Sequence, residues 1–595
     1  MDKEILHTVR SVMGCVLVTA LATGCAQEDI GNDPSEGGGL SPASYVSLSF
    51  ASPQGTTTRA NPTGGETGDG QETGQDYENA ITSAVAFFYQ GTDQEGVNSD
   101  GSNTPIKAVV SFNNITYYTE PGNGIDRTYT TSPQQVDLEN GTYNVIVVAN
   151  PGADWWTGQS LTLDDVRNHI QTTAWTVSES GYSNFVMTSA ADATLTLNSN
   201  PSNAPAKATV NVERMAARLD YKAKTSYTCT DPAYPDATVE ITGAALVNNL
   251  TAGSYLLKRV ADDVNGVPTY LGNETPDAGV QTNYVLDPWT AAKTSTNNNF
   301  TIGGEANKTA KDLYGEWFGD ISQDPNYWAD YVQPGTEVTV GTETGTETWQ
   351  RIGYTLENTT AADAAGSDYS TGVVFKAKFH PAKVTSYTNS TYTDGATFFA
   401  YGKTLYASME DMMIGFYGHK FNNGFSGIQN CKTWDDVKSF IESTLLGNDP
   451  SGYRDYLLKQ VNDHQGESLT QTELTSLEWS NYMLNECGYS KDENGKVVLD
   501  QNSKVTRIAL QPYGTRTYED ATCYYTWWVR HSNDNNDDAK GIMEYAIVRN
   551  NIYKLTVNSI YSLGGEIPED DDDEGVVLDV YVNDWLLLPT ETLPM

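Results

Sequence analysis

The sequence predicts a mainly β protein built from two tandem antiparallel β-sandwiches, the second carrying a helical insertion. Three observations lead there. Short runs of β-branched and aromatic residues recur along most of the chain, among them "AVAFFY" (84–89), "GTYNVIVVANPG" (141–152) and "KATVNV" (207–212). Turn residues separate them at short spacing, which suits antiparallel pairing better than alternating strand–helix units. Turn residues also crowd into "YTCTDPAYPDA" (227–237), and a second strand series opens there, dividing an N-terminal sandwich at 60–226 from a C-terminal one at 227–563. Helical spacing concentrates between about 433 and 486, where Trp434, Val437, Phe440, Ile441 and Leu445 share one face behind Thr433 as N-cap.

In chain order, Val12 to Ala22 is an apolar stretch too short to span a membrane and suited to the core of a signal peptide over residues 1–24. "LATGC" resembles a bacterial lipobox, with Cys25 as the lipidated residue, and the acidic "AQEDI" after it is similar to the surface-export signal of Bacteroidetes-type lipoproteins. Residues 25–59 then read as a lipidated propeptide. Its Gly-, Ser- and Asp-rich start is a flexible tether. At 45–50, "YVSLSF" alternates as a half-buried strand, with Val46, Leu48 and Phe50 on one face and Ser47 and Ser49 on the other. The next 26 residues, "ASPQGTTTRANPTGGETGDGQETGQD", contain no aromatic residue. A connection of that length and composition is solvated and open to proteases.

Beyond it, "TLDDVRNHI" reads as a short helix, with Thr162 and Asp165 forming a capping box and His169 on the helix. In the C-terminal region the strand series continues through "GVVFKAKF" (372–379), "CYYTWWVRH" (523–531) and "AIVRNNIYKLTVNSIYSL" (546–563). Six consecutive acids, Glu569 to Glu574, then precede a strand-like tail in which Val576, Leu578, Val580 and Val582 face one way and Val577, Tyr581 and Trp585 the other. Residues 564–595 read as an acidic tether followed by a free strand, with the strand of the chain's own sandwich as the competing reading.

Composition excludes several functions. With 35 basic against 77 acidic residues, the net charge of −42 opposes nucleic acid and anionic lipid as partners. The 12 Trp and 36 Tyr argue against disorder. The six histidines show no metal-ligand spacing. "YGKT" (401–404) lacks the glycine spacing of a phosphate loop, and the Asp534, Asn536, Asp538 run has Ala539 and Tyr545 where a calcium loop needs Gly and Glu. No catalytic residue, cofactor or metal site is specified. Of the four cysteines beyond the leader, Cys431 and Cys487 lie in one helix-rich stretch and form the first pair to test as a disulfide, with buried thiols as the alternative. Trp155-Trp156 and Trp527-Trp528 could stack on sugars if exposed.

Several segments together resemble the Bacteroidetes-type major fimbrial subunits, the type V pilins of the FimA and minor-fimbrium (Mfa) families. They are "TTTRA", "VVANPG", "VNVERMAARLDY", "FFAYGKTLYASMEDM", "CYYTWWVRH", "GIMEYAIVRNNIYKLTVNSIYSLG" and "VVLDVYVNDW". The resemblance implies two transthyretin-like sandwiches and an outer-membrane lipoprotein precursor whose mature form lies in extracellular fimbriae that support adhesion. It further implies cleavage by an arginine-specific protease and polymerisation by strand exchange. On this sequence the cleaved bond is Arg59-Ala60 and the displaced strand carries Val46, Leu48 and Phe50. The donor is the tail with Val576, Leu578, Val580, Val582 and Trp585. The expected partners are copies of the chain itself, head to tail, with anchor and tip accessory subunits. The alternatives are an anchor or tip subunit, or a surface lipoprotein that binds a glycan or host ligand without polymerising.

Overall fold

The structure is a computed structural model of the chain. It describes residues 43–52, 70–91, 104–119, 127–179, 181–262, 283–289, 299–302, 305–321, 325–342, 345–359, 369–408, 425–445, 453–478, 515–531, 544–569 and 575–587, with the isolated positions 293, 366, 411, 412, 415, 481 and 482. Cys25, Arg59, Ala60, Cys487 and the 534–538 acidic run lie outside these residues.

The chain is mainly β. Along it run β1 (Ser44–Ala51), β2 (Gln71–Thr73), the one-turn helix α1 (Asp76–Asn79), β3 (Ser83–Tyr89), β4 (Ala108–Asn113), β5 (Thr116–Thr119), β6 (Arg127–Thr130), β7 (Gln134–Val136) and β8 (Gly141–Ala149). Then come α2 (Leu163–Arg167), β9 (Met187–Ser189), β10 (Ala193–Leu197), β11 (Ala206–Arg214), β12 (Ala217–Lys222), β13 (Thr238–Val247), β14 (Thr336–Thr342), β15 (Gly345–Thr355) and β16 (Gly372–His380). Helices α3 (Trp434–Thr444), α4 (Tyr453–Asp463) and α5 (Gln471–Leu477) follow, then β17 (Thr522–Trp528), β18 (Asn551–Ile560) and β19 (Val576–Leu586).

A ten-stranded sheet runs β4-β3-β8-β9-β11-β1-β6-β5, with β10 added to β8 and β7 to β1. Strand β11 changes partner along its length, pairing with β1 over Ala206–Asn211 and with β9 over Val212–Arg214. The sheet therefore curls around one core, in which Val46, Leu48 and Phe50 are buried with Phe88, Phe112, Val145, Val147 and Val210. A six-stranded sheet runs β2-β19-β18-β12-β15-β14, and a four-stranded one has β13, β16 and β17 in its path. Their apolar faces form a second core around Leu219, Phe375, Tyr525 and Tyr553. The hand-over between the two cores falls at Arg214–Ala217, inside "VNVERMAARLDY" and ahead of the expected break at 226/227. Three pairings, β1 with β11, β12 with β18 and β2 with β19, are parallel rather than antiparallel. Each joins segments far apart in the chain, so no hairpin dictates its direction.

Local signals fold as their chemistry requires. Thr162 Oγ1 accepts from the Asp165 N–H at 3.2 Å while the Asp165 carboxylate accepts from the Thr162 N–H at 2.8 Å, and these bonds hold the Asp165 carboxyl below its ordinary range. Thr433 and Asp436 repeat the arrangement at α3. His169 lies just beyond α2, half-buried and stacked on Trp155 with ring centroids 3.9 Å apart; burial lowers its pKa. Helices α3, α4 and α5 share an apolar core of their own that includes Trp434, Val437, Ile441, Leu457 and Leu477. Thr162→Ala should cost about 1 kcal/mol locally, read as roughly fivefold faster hydrogen exchange at the first turn of α2.

Candidate functional site

Strand β1 is central in its sheet, not an edge. On one side it runs parallel to β11, from Val46 opposite Ala206 to Ala51 opposite Asn211. On the other, Ser44–Val46 pair with β7 and Ser49–Phe50 with β6. Val46, Leu48 and Phe50 are each 0% exposed. Burying three such side chains contributes roughly 5–9 kcal/mol. Between the two antiparallel stretches the ladder is completed by one residue, Thr131. Its N–H donates to Leu48 O at 2.9 Å, its Oγ1 accepts from Leu48 N–H at 2.9 Å, and its carbonyl accepts from Ser47 Oγ at 2.9 Å.

The chain re-enters the described structure at Gly70, on the other sheet. Strand β2 pairs parallel to the end of β19, with Gln71 opposite Asp584 and Thr73 opposite Leu586. The two ends of the 53–69 connection are thus held by different sheets.

Buried charge fixes β2 and α1 in place. The Arg218 guanidinium, 0% exposed, meets Glu78 Oε2 at 3.0 Å, Asp220 Oδ2 at 2.8 Å and Glu72 Oε1. Lys554 reaches the second oxygen of Glu72, and Tyr354 OH donates to Glu78. Burial raises the Tyr354 and Asp220 pKa values, while the surrounding carboxylates hold Arg218 well above its ordinary value against its own desolvation. Arg214 bonds Glu78 O at 3.1 Å, Trp585 O at 3.0 Å and the Asn79 side chain, and lies 4.4 Å over the Trp585 ring. Burial pushes its pKa down to about 10, so it stays charged at neutral pH. Gly74 is required by this closeness, since a Cβ there would come within 2.6 Å of Trp585 Nε1 and 2.3 Å of Asn79 Oδ1. The sequence reading missed this network; the signal available was Arg218 and Asp220, two residues apart on one face of an apolar strand.

The tail is placed differently from expectation. Residues Val576–Leu586 are not a free strand but β19, paired antiparallel with β18 from Asn551 opposite Asp584 to Ile560 opposite Val576. Val576, Val580 and Val582 are buried in the chain's own second core, with Leu578 partly buried against it, and Trp585 is 0% exposed. The described part of the approach is paired: Gly565 exchanges two 2.9 Å backbone bonds with Tyr524, Ile567 is buried, and the Tyr561 N–H donates to Gly575 O at 2.6 Å, while Asp570 to Glu574 lie outside the described residues. Strand β18 offers the tail an antiparallel edge, and burial of Val576, Val580 and Val582 against the second core favours that pairing. At the end of β19, Leu587 N–H donates to Ser52 Oγ, just past β1, at 2.6 Å.

Other expectations are also located. Cys431 is a free, buried thiol, as is Cys229, and burial raises the Cys431 pKa. Trp156, Trp527 and Trp528 are buried and Trp155 packs on Phe87 and His169, so neither Trp pair is an open stacking platform. "YGKT" is the turn of a hairpin between Phe398–Tyr401 and Thr404–Tyr406. Among the described residues His464, Glu467 and Glu473 could together hold an ion, but His464 Nδ1 already meets Glu467 at 2.7 Å and Glu473 caps Thr470.

Comparison with known proteins finds one family match and several similar solved structures. No curated protein matches the chain by sequence. Among solved structures, a protein described as a cell-adhesion candidate from Parabacteroides distasonis ATCC 8503 is similar at 12% identity over 91% of this chain and 100% of that one, with TM-score 0.36. The tip fimbrial protein Mfa3 from Porphyromonas gingivalis is similar at 9% identity over 91% and 100% of the two chains, with TM-score 0.28. The fimbrial anchor protein Mfa2 from the same organism is similar at 9% identity over 56% of this chain and 78% of that one, with TM-score 0.18. Residues 516–589, from just before β17 through β19, match the family described as major fimbrial subunit protein type IV, fimbrillin, C-terminal. By that match residues 516–589 are similar to the C-terminal region of major fimbrial subunit proteins.

Proposed function

We propose that this chain is a structural, non-enzymatic subunit of a cell-surface fimbrium, exported as a precursor lipidated at Cys25 and activated by proteolysis of the Arg59-Ala60 bond, with β1 as the strand exchanged for one from another subunit. The observation that carries the reading is the seating of β1, a complete central strand, with the chain on the far side of the 53–69 connection anchored in the other sheet. A cut in that connection leaves β1 held by non-covalent contacts alone, while β2 and α1 stay fixed by Arg218 and Arg214. Removing β1 uncovers three apolar pockets and unpaired backbone on β11, β6 and β7, a groove that demands a replacement strand. Burial of Val46, Leu48 and Phe50 keeps β1 in place after the cut until another strand displaces it.

The state of β19 favours a terminal, tip-like subunit that accepts a strand over a shaft subunit that also donates one. Donation of Val576–Leu586 would withdraw Val576, Val580, Val582, Trp585 and Leu586 from the chain's own structure, at a cost of roughly 8–15 kcal/mol.

An Arg59→Ala chain, produced in a strain that assembles the filament, is expected to accumulate as full-length precursor at the outer membrane and to be missing from sheared filaments. Incorporation equal to that of the unaltered chain would sink the activation step. The tip reading predicts about one copy per filament by immunogold labelling; labelling along the whole shaft would contradict it.

A further inference from the structure

We propose that Thr131 makes the β1 groove selective for a strand of a different subunit, one that alternates apolar, small polar, apolar, small polar, aromatic, and against β19 of a second copy of this chain. This rests on the reading that β1 is exchangeable. The apolar face of the groove sets a spacing that many strands share. Its discriminating feature is the break between β6 and β7, where the flanking backbone passes through Thr131-Ser132-Pro133 and Pro133 has no N–H to give.

There Thr131, only 3% exposed, meets the occupant with all three of its polar groups. Two of these contacts go to the backbone at the Leu48 position and are open to any residue except proline. The third is specific, because the side chain at the Ser47 position, 6% exposed, donates to the Thr131 carbonyl in a closed site. A long side chain there must push Thr131 aside, and a carboxylate would set its oxygens against the carbonyl oxygen. At the next outward position, Ser49 Oγ lies 3.4 Å from Thr130 Oγ1, so a small hydroxyl fits there too.

Strand β19 meets neither condition. With Val576, Leu578 and Val580 in the three pockets, Val577 takes the Ser47 position, leaves the Thr131 carbonyl without its donor, and Val580 underfills the space of Phe50. Moved on by two residues, Asp579 takes the Ser47 position and Tyr581 the Ser49 position. Both registers are penalised, and the second brings two acceptors together. The groove thereby rejects self-addition and awaits a strand from elsewhere in the filament.

The test uses the full-length protein cut after Arg59, challenged with labelled synthetic peptides and read by fluorescence anisotropy. The peptide of residues 44–51 is expected to bind. Its Ser47→Ala form should bind about fivefold more weakly, and its Ser47→Leu form and the peptide of residues 576–586 about 30-fold or more weakly. Binding of the Ser47→Leu or 576–586 peptide within about threefold of the 44–51 peptide overturns the selectivity and leaves strand exchange standing. Failure of the 44–51 peptide to bind at any concentration overturns the exchange reading, and the selectivity with it.

Discussion

Replacing Arg218 by Leu is expected to destabilise the chain by about 3–5 kcal/mol, the range for removing one partner of a buried ion network. Three carboxylates, Glu72, Glu78 and Asp220, converge on this guanidinium, all essentially out of water. Leucine would leave Lys554 on Glu72, while Glu78 and Asp220 would lose the guanidinium that ion-pairs with both of them. The carboxylates must then take up protons or draw in water, and either loosens β2 and α1 from β19. Urea unfolding followed by Trp fluorescence checks this, since Trp585 lies 5.7 Å from the Arg218 guanidinium. A loss under about 1 kcal/mol would show that the cluster is not what fixes the 70–79 segment.

Phe50→Ala should cost about 3–5 kcal/mol in the uncut chain, because the ring is wholly enclosed and its removal leaves a cavity. After cleavage the same loss should appear as release of the β1 fragment faster by about 10²–10³-fold, since such changes act mostly on dissociation. Ser49→Ala, on the outward face, should change release by less than about threefold. Size-exclusion chromatography of the cut protein over time measures both. Equal release from the Phe50→Ala and unaltered proteins would mean that the pockets do not hold the strand.

Much of this architecture is legible in the sequence, for identifiable reasons. Strand β1 shows itself because "YVSLSF" has a clean two-residue period beside a tether and a linker. The α2 and α3 starts show because a capping box is a local device, fixed by residues three apart. What depends on distant partners is not legible. Periodicity marks Val576–Val582 as a strand, yet it cannot say that the edge it finds is β18 of the same chain. The parallel seating of β1 against β11 joins residues about 160 positions apart, and nothing local encodes its direction. The network around Arg218 draws Glu72 and Glu78 from a segment that follows a low-complexity linker, where acids look solvated; only the fold shows them buried. Turns are local signals, so the turn-rich 227–237 stretch stands out as a boundary, whereas the chain passes from one core to the other through "ERMAAR", which contains no Gly, Pro, Asn, Asp or Ser to mark it.

Strand exchange requires that β1 leave the assembled subunit. Intact-mass and N-terminal analysis of the protein recovered from sheared native filaments reads this directly. The predicted result is a chain beginning at Ala60, with residues 44–51 absent and the groove crosslinked to a strand of another subunit after mild fixation. Assembled protein that retains residues 26–59, covalently or as a bound fragment, would contradict it.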